Sequence, residues 1–338
     1  MSFAPILRLL HERRTLSTEQ MSEAFRAMLA GEVSQGEIGA LLAFLSLRVP
    51  TAAELLGAAR VMRDNVARLE TKTAPEHIVD TCGTGGAPKT FNVSTLSGIV
   101  AAAAGVRVAK HGNRSRTGRG SAELLEALGV QLEAPLEVQA ACLDQVGICF
   151  CFAVKHHPAM RNVAPVRQAM GFPTLFNLLG PLTNPAGAQR QVLGVYDARF
   201  LEPVAETLRA LGASRAMVVH SDDGLDEISI SAGSQLVHVT QAGITQARVM
   251  PEELGLVRAP REQVSARDLR HAVELAQAIL EGHERGAPRD AVLMTSAAAL
   301  YVDEKVDTLL EGVAIARDML ESGKALATLG AWVELSRS

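Results

Sequence analysis

The stretch from His77 to Ala109, HIVDTCGTGGAPKTFNVSTLSGIVAAAAGVRVA, combines short apolar runs with a glycine-rich loop and an alanine-rich segment. The apolar runs at 77–80 and 106–109 have the length of strands, and residues 94–104 between them have helical character. This order predicts a strand, a helix and a second strand parallel to the first. Because parallel sheets need helices on both faces, the stretch predicts an α/β fold.

The same alternation continues toward the carboxyl terminus. Further apolar runs of strand length occur at 148–154, 191–195 and 216–220. Helical stretches lie between them, at 121–128 and 200–211. Residues 235–249 indicate additional strands, and residues 265–335 indicate three or four helices. We therefore predict a mainly parallel sheet that is flanked by helices.

The amino-terminal region differs, because apolar residues recur at helical spacing from Pro5 to Glu70. Three segments open with capping boxes, in which Ser or Thr precedes Glu or Gln by three residues. The pairs are Ser17 with Gln20, Ser34 with Glu37, and Thr51 with Glu54. This pattern predicts about four short helices. Because 338 residues exceed the usual size of one core, we predict a helical domain at 1–72 and an α/β domain at 73–338.

The composition opposes several classes of protein. The 33 Lys and Arg residues against 37 Asp and Glu residues give a net charge of -4, which opposes general binding to nucleic acid or acidic membranes. No apolar run reaches the ~18 residues of a membrane span. The four cysteines lack CxxC spacing, which opposes a zinc site or a disulfide framework. We predict a soluble cytoplasmic protein with reduced thiols at Cys82, Cys142, Cys149 and Cys151.

A glycine-rich loop follows the first predicted strand. The loop is GTGG at 83–86, and Asn92, Ser94 and Thr95 begin the next helix. Glycines let backbone N–H groups approach a phosphate, and a helix amino terminus adds unpaired donors. The alternative is a turn in which the glycines serve backbone geometry alone. Two nucleotide motifs do not fit, because Pro88 stands where the P-loop and the dinucleotide pattern need glycine.

A second loop and an acidic turn also follow predicted strands. Lys110 and Arg114 place two cations after the second strand, where they can hold a phosphate ester or remain solvated. The turn at 222–227 contains four acids. Mg²⁺ commonly binds through one or two carboxylates plus substrate phosphates, although surface turns also collect Asp and Gly. The turn is therefore a candidate Mg²⁺ site.

Arg167 is a further candidate, because apolar residues surround it in a predicted helix. These neighbours are Met160, Val163, Val166 and Met170. A guanidinium in such surroundings suits a carboxylate that adjoins an aromatic ring. The nearby His156 and His157 have no metal-ligand spacing, so we interpret both as structural.

Several longer strings resemble the anthranilate phosphoribosyltransferases, enzymes of tryptophan biosynthesis. They are GTGG with TFNVST (83–95), VAKHGNR (108–114), GSAELLEALGV (120–130), HPAMRNVAPVRQAMG (157–171), FNLLGPLTNPAG (176–187), QVLGVY (191–196) and VVHSDDGLDEIS (218–229). The resemblance covers essentially the whole chain. It implies a small helical domain, to which a segment near 158–185 returns, and a larger α/β domain. It also implies dimerisation through the helical domains and substrates that meet between the domains.

The resemblance further implies roles for individual residues. The residues implied to bind phosphoribosyl pyrophosphate (PRPP) are Gly83, Gly86, Ala87, Thr90, Asn92, Ser94, Thr95, Lys110, Thr117 and Ser121. Those implied to hold Mg²⁺ are Ser94, Asp226 and Glu227. Those implied to face anthranilate or line its route are Asn113, Ala153, Met160, Arg167 and Gly180. The candidate catalytic residues are Lys110, Asn113 and Arg167.

Two loops depart from the family pattern. The family has an Asp and one further residue where this chain has Ala87-Pro88-Lys89. The loop at 115–119 is also shorter and more basic than in the family. We therefore expect contacts to the diphosphate and the metal to differ in these loops.

Two alternative functions remain open at this point. One is a relative of the same fold that uses another acceptor, such as a pyrimidine nucleoside phosphorylase; the string FNLLGPLTNP and Arg167 argue against it. The other is a non-catalytic nucleic-acid-binding relative. Arg114, Arg116 and Arg119 would give it a basic face, but the net charge of -4 opposes that function.

Overall fold

The computed structural model describes residues 3–115 and 118–338. The strands in this part of the chain are β1 (Ile78–Asp80), β2 (Arg107–Gly112), β3 (Ile148–Phe152), β4 (Arg190–Gly194), β5 (Arg215–Ser221), β6 (Ser234–Thr240) and β7 (Ile244–Val249). They form a sheet in the order β3-β2-β1-β4-β5-β6-β7. Neighbours from β3 to β5 are parallel, and β6 and β7 add antiparallel pairs at one edge. The predicted, mainly parallel sheet is confirmed.

Helices lie before the first strand and between the later ones. Those before the sheet are α1 (Ala4–His11), α2 (Thr18–Ala30), α3 (Gln35–Ser46) and α4 (Ala52–Asp64). Those between the strands are α5 (Val93–Ala103), α6 (Ser121–Ala127), α7 (Leu136–Ala141), α8 (Ala153–His156), α9 (Ala164–Met170), α10 (Leu175–Leu179) and α11 (Leu201–Ala210). Those after β7 are α12 (Leu269–Leu280), α13 (Ala287–Val302), α14 (Leu309–Glu321) and α15 (Lys324–Ser336).

One predicted strand is too long. The apolar run at 148–154 was expected to be a strand throughout, but Ala153 and Val154 begin α8. The reason lies in the pairing of β3 with β2, whose last partner pair is Gly112 with Phe152. The pairing with β2 thus ends at Phe152, and the chain continues as a helix from Ala153.

The predicted helical domain is present, and its capping boxes form. The Ser17, Ser34 and Thr51 hydroxyls each accept the backbone N–H three residues later. The returning segment also joins this domain, because α9 packs against α3 and α10 packs against α4. The Phe176 ring of α10 lies 5.5 Å from the Phe25 ring of α2. The chain thus forms a small helical domain and a larger α/β domain.

The sheet separates two apolar clusters. Val192 and Val219 belong to the cluster that contains α5, α13 and α14. Leu193 and Val218, which alternate with them, belong to the cluster that contains α11 and the helical domain. This alternation follows from the period of two along a strand. Both faces of the central strands are therefore covered, and the open edge at their carboxyl ends is left for the loops.

Glu54 connects three parts of the helical domain. Its fully buried carboxylate accepts the backbone N–H groups of Leu16 and Thr51, each at 2.9 Å, and two N–H groups of Arg48. Burial alone would raise the pKa of this carboxyl, but the hydrogen bonds from Arg48 and the backbone lower it below its ordinary value. The ionised carboxylate therefore stabilises the fold.

We expect Glu54→Gln to lower the free energy of unfolding by about 3 kcal/mol at neutral pH, because it breaks a buried ion pair. A lowered folded-state pKa gives stability above the ordinary pKa of 4.5, and that stability is lost as the pH falls through the folded value. The difference between wild type and variant should therefore shrink in acid. Urea unfolding measured across this window tests the expectation, with Glu37→Gln at an exposed cap as the control. A constant difference would contradict it.

Candidate active site

The predicted glycine-rich loop and the acidic turn lie against each other at the carboxyl edge of the sheet. A Cβ atom on Gly83 would lie 2.8 Å from Oδ2 of Asp226. A Cβ atom on Gly194, at the end of β4, would lie only 1.6 Å from the carbonyl oxygen of Asp226. Gly86 has a φ of 98°, and the Tyr196 ring packs against it. These glycines are thus required for the close approach of the glycine-rich loop to the acidic turn and to Tyr196.

Only half of the acidic turn faces this loop. Asp222 pairs with Arg248, and Asp223 accepts the hydroxyl of Ser229 at 2.6 Å. Asp226 and Glu227 line a cleft with Gly83 and Ser94 instead. The two acids named as metal ligands are therefore the two that reach the glycine-rich loop.

Asp226 and Glu227 hold their protons more tightly than exposed acids do. Both residues keep some accessible surface, but the protein around the carboxyl groups desolvates them. Burial and then the charge of Asp226 raise the pKa of Glu227 to about 8, against hydrogen bonds that include one from the Thr90 hydroxyl. Burial also raises the pKa of Asp226, while nearby Lys89 lowers it. Ionising both carboxyls would bring two negative charges together in a desolvated place, and a cation would relieve this cost.

Lys110 places a buried ammonium beside these carboxyls. Its side chain is 2% exposed, and Nζ donates to the carbonyl of Thr81 at 2.9 Å and to Oγ of Ser94 at 3.2 Å. Burial lowers the pKa of Lys110, and the charges of Asp226 and Glu227 are among those that oppose this shift. Lys110 was predicted to begin the loop after the second strand, but it lies inside β2, and from there its side chain reaches the loop after β1 and the start of α5.

The remaining predicted donor residues surround the same helix terminus. Asn92 precedes α5 in the left-handed region, with a φ of 69°, and its amide donates to the carbonyl of Arg119 at 3.4 Å. The Thr95 hydroxyl donates to the Ser121 hydroxyl at 2.9 Å, which joins α5 to α6. Ala87 is partly buried in the loop before α5. Thr117 lies outside the described residues.

The predicted acceptor residues lie in the loop after β2 and in the segment that runs from α8 to the end of α10. Asn113 is exposed, and its Oδ1 accepts the backbone N–H of Arg114 at 2.8 Å. Ala153 begins α8 directly after β3, and Met160 packs on the helical-domain cluster. The guanidinium of Arg167 lies 4.9 Å from the centre of the Phe176 ring. Arg167 thus packs on an aromatic side chain of the returning segment, and its predicted pairing with a carboxylate stays a prediction.

A buried polar network joins the end of β1 to β2 and to the returning segment, and most of this network was not predicted. Asp80, at the end of β1, accepts the Asn184 amide at 2.7 Å and the backbone N–H of His111 at 3.1 Å. Nδ1 of His111 lies 2.9 Å from the carbonyl oxygen of Gly180, and its Nε2 lies 3.2 Å from Nε2 of His157. The network fixes the end of β2 to the segment that contains Gly180.

The histidines of this network are neutral near pH 7. Burial and then the proximity of His157 lower the pKa of His111 to about 3. Burial and then His156 lower the pKa of His157 to about 4. His156 is fully buried between the carbonyl oxygen of Ala67 and the side chain of Gln139. All three rings have protein partners, in agreement with the structural interpretation of His156 and His157.

Two of the basic residues that would serve a nucleic-acid-binding relative have partners within the fold. Arg114 forms two hydrogen bonds of 2.6 Å with the carboxylate of Glu126. Arg119 donates to the carbonyl oxygens of Ala266 and Arg267. Arg116 lies outside the described residues. Within the described ranges no helix is long and apolar enough to cross a membrane, and no cluster of three or more His, Cys, Asp or Glu residues could hold a metal.

Two family models match this chain. The glycosyl transferase family, a/b domain, matches residues 75–326, and the glycosyl transferase family, helical bundle domain, matches residues 4–66. The fold, the site and the family models together define a two-domain glycosyltransferase.

A curated anthranilate phosphoribosyltransferase of Rubrobacter xylanophilus is 46% identical and covers 95% of this chain and 94% of its own. That of Thioalkalivibrio sulfidiphilus is 43% identical over the whole of both chains. The chain belongs to the anthranilate phosphoribosyltransferase family.

Solved structures agree with this assignment. The anthranilate phosphoribosyltransferase of Thermus thermophilus is 44% identical, has a TM-score of 0.92, and covers 98% of this chain and 99% of its own. The enzyme of Saccharomyces cerevisiae, solved in complex with PRPP and Mg, has a TM-score of 0.90 at 22% identity. It covers 99% of this chain and 98% of its own, and it shares the fold.

Proposed function

We propose that this protein transfers the phosphoribosyl group of PRPP to the amino group of anthranilate, giving N-(5-phosphoribosyl)anthranilate and pyrophosphate in tryptophan biosynthesis. The supporting observation is that the glycine-rich loop, Lys110, Asp226 and Glu227 meet at one edge of the sheet. A diphosphate and its metal ion need this combination of backbone donors, a cation and carboxylates. The relatives at 43% and 46% identity carry the same activity in their names.

Mg²⁺ is the cofactor that fits this site. Asp226 and Glu227 are adjacent, and burial raises the pKa of both, so bringing a divalent cation to them would relieve an unfavourable charge. Their oxygen atoms and Oγ of Ser94 are hard donors of the kind that Mg²⁺ prefers. We assign the metal to these residues together with substrate phosphates. When bound, the ion would neutralise charge on the departing diphosphate.

The donor would lie across the amino terminus of α5. Backbone N–H groups of Gly83 and Gly86 and the ammonium of Lys110 would bind its phosphates. The side chains of Thr90, Asn92, Ser94, Thr95 and Ser121 would complete the contacts. Ala87 and Thr117 belong to the two altered loops and are assigned to the same donor region.

The acceptor would lie on the side of Asn113 and Arg167. Arg167 would pair with the anthranilate carboxylate beside the ring of Phe176. Ala153, Met160 and Gly180 would line the route by which anthranilate enters. The aromatic ring then stays in apolar surroundings, while its amino group points at the ribose.

Catalysis in this arrangement needs no strong base. An aromatic amine is neutral at pH 7, so its lone pair is available to attack C1 of the ribose. The bond from C1 to the diphosphate breaks as the bond to nitrogen forms, and the product nitrogen then releases a proton. Alignment of the substrates and stabilisation of the leaving group would supply the rate enhancement. The neutral His111 and His157 would hold the loop that carries Asn113 in place.

Three broader assignments belong to the same proposal. The two domains would divide at residue 72, with the segment near 158–185 returning to the first. Two copies of the chain would associate through their helical domains. The enzyme would work in the cytoplasm, without nucleic acid or membrane partners. Light scattering on the purified protein tests the dimer.

The alternatives receive less support. A same-fold enzyme whose acceptor has no carboxylate would not need Arg167 as a partner for that group. A nucleic-acid-binding relative would need free basic side chains, but Arg114 is engaged with Glu126 and Arg119 with backbone carbonyls. Retention on DNA at low salt would favour that second alternative.

The proposed activity can be tested by mixing the protein with Mg²⁺, PRPP and anthranilate and following the loss of anthranilate fluorescence. We expect loss that depends on all three components, with release of pyrophosphate. An assay with nicotinate, uracil or thymine in place of anthranilate serves as the acceptor control. Turnover of a control acceptor with none of anthranilate would overturn the assignment.

We expect Ala87→Asp to increase inhibition by excess Mg²⁺. Lys89 lowers the pKa of Asp226, so the loop at 87–89 already presents a cation to the acidic pair. A new carboxylate there would attract a second, loosely held ion and shift the inhibitory concentration about fivefold, the equivalent of ~1 kcal/mol. Initial rates against Mg²⁺ concentration test this, with Ala87→Asn as the uncharged control. Superimposable profiles would remove Ala87 from the donor region.

A further inference from the structure

The hydroxyl of Thr295, in the middle of α13, has no hydrogen-bond partner among the described residues. The residue is 4% exposed, so bulk water does not satisfy this group. The neighbouring Ser296 hydroxyl donates to the carbonyl of Val292, four residues earlier, at 2.7 Å. Thr295 does not take the equivalent bond within its own helix. An unpaired buried hydroxyl is unusual and points to a ligand that completes it.

A small cavity lies beside Thr295. It has a volume of about 40 Å³, and Thr295 lines it together with Thr81, Ser94 and Glu227. One water molecule needs roughly 10–15 Å³ of such space, so the cavity has room for ordered water. This cavity is the cleft already described, which Gly83 and Asp226 also line, and Gly83 is exposed to solvent. Water can therefore reach it.

The polar groups that line the cavity favour water over an anion. The carboxyl of Glu227 has more acceptor positions than the Thr90 hydroxyl and the Ser94 backbone fill, which disfavours an anion. The Thr81 hydroxyl donates to the carbonyl of Ser94 at 3.2 Å and keeps an acceptor position. Water both donates and accepts, so it can satisfy these groups and Thr295 at once.

We propose that the cavity holds an ordered water molecule that bridges the hydroxyl of Thr295 to the carboxylate of Glu227. Thr295 is then a positioning residue, because it fixes the orientation of a carboxylate that the proposed function assigns to Mg²⁺. The inference rests on that proposed function. It adds α13, which supplies none of the predicted site residues, to the support of the metal site.

Thr295→Val tests this, because it removes the hydroxyl and keeps the shape of the side chain. We expect the apparent Kd for PRPP, measured by calorimetry at sub-saturating Mg²⁺, to rise about fivefold, as the loss of one hydrogen bond predicts. Thr295→Ser retains a hydroxyl and should remain within about twofold of wild type. Ser296→Ala is the matched control and should bind as wild type does, because this hydroxyl donates to Val292 in its own helix and, at 3.5 Å, to the carbonyl of Ser97. A crystal structure should contain the bridging water.

Thermal unfolding without ligand gives a second readout. Replacing a truly unpaired buried hydroxyl by a methyl group raises stability, whereas removing one that is bonded to water does not. Thr295→Val with unchanged PRPP affinity, or with a raised Tm, would overturn the inference. Absence of Mg²⁺-dependent PRPP binding by the wild type would instead overturn the proposed function. The two failures are therefore distinguishable.

Discussion

The double variant Asp226→Asn with Glu227→Gln should lose nearly all phosphoribosyl transfer, with kcat/KM falling about a thousandfold. The amides keep the size of the side chains but remove both charges that would hold Mg²⁺. The cleft they line also contains Ser94 and Gly83, so the loss would fall on the metal and the diphosphate together. Initial rates against Mg²⁺ and PRPP concentrations measure it.

The fold should tolerate this change. Burial raises the pKa of both carboxyls, which means that the folded chain gains no stability from their ionised forms. The Tm should therefore equal or exceed that of wild type. Asp222→Asn is the matched control, because Asp222 lies in the same turn but pairs with Arg248 at the surface. A folded double variant that keeps its Mg²⁺ dependence and more than a tenth of its activity would falsify the metal assignment.

Most of the fold could be predicted from local patterns in the sequence. Ser17, Ser34 and Thr51 identified three helix starts, because a capping box requires only residues within one turn. The loops after β1 and β2 were expected to meet, because neighbouring parallel strands end at one edge. In the structure it is Lys110, inside β2 itself, whose side chain reaches Thr81 and Ser94 beyond the end of β1.

Contacts between residues that are far apart in the sequence could not be predicted from local patterns. Asp80 and Asn184 are 104 positions apart, and His111 and His157 are 46 positions apart. Neither pair has a spacing signal, since their contact depends on how β1, β2 and the returning segment pack. Asp80 did offer one clue, because an acid at the end of a buried strand needs partners. The unpaired hydroxyl of Thr295 offered none, because it depends on a cavity in the packed core.

The second large effect is expected at Arg167. Its guanidinium lies over the ring of Phe176, a half-buried position in which a cation can bind a carboxylate without much competition from water. Arg167→Ala should weaken anthranilate binding about ten- to a hundredfold, since a charge-assisted hydrogen bond is worth roughly 1.5–3 kcal/mol. PRPP binding should change little, because its proposed partners surround α5 and the acidic turn.

The measurement is calorimetric binding of anthranilate and of PRPP, together with the KM of each substrate. Arg167→Lys keeps the charge but not the planar pair of donors, so it should recover only part of the lost affinity. Arg209→Ala is the matched control, because Arg209 is exposed in the last turn of α11, which leads to the amino-terminal end of β5. If Arg167→Ala weakens PRPP binding as much as anthranilate binding while the fold survives, Arg167 acts on the position of the whole returning segment. The carboxylate of the acceptor would then need another partner, and Asn113, exposed on the loop after β2, would be the next residue to test.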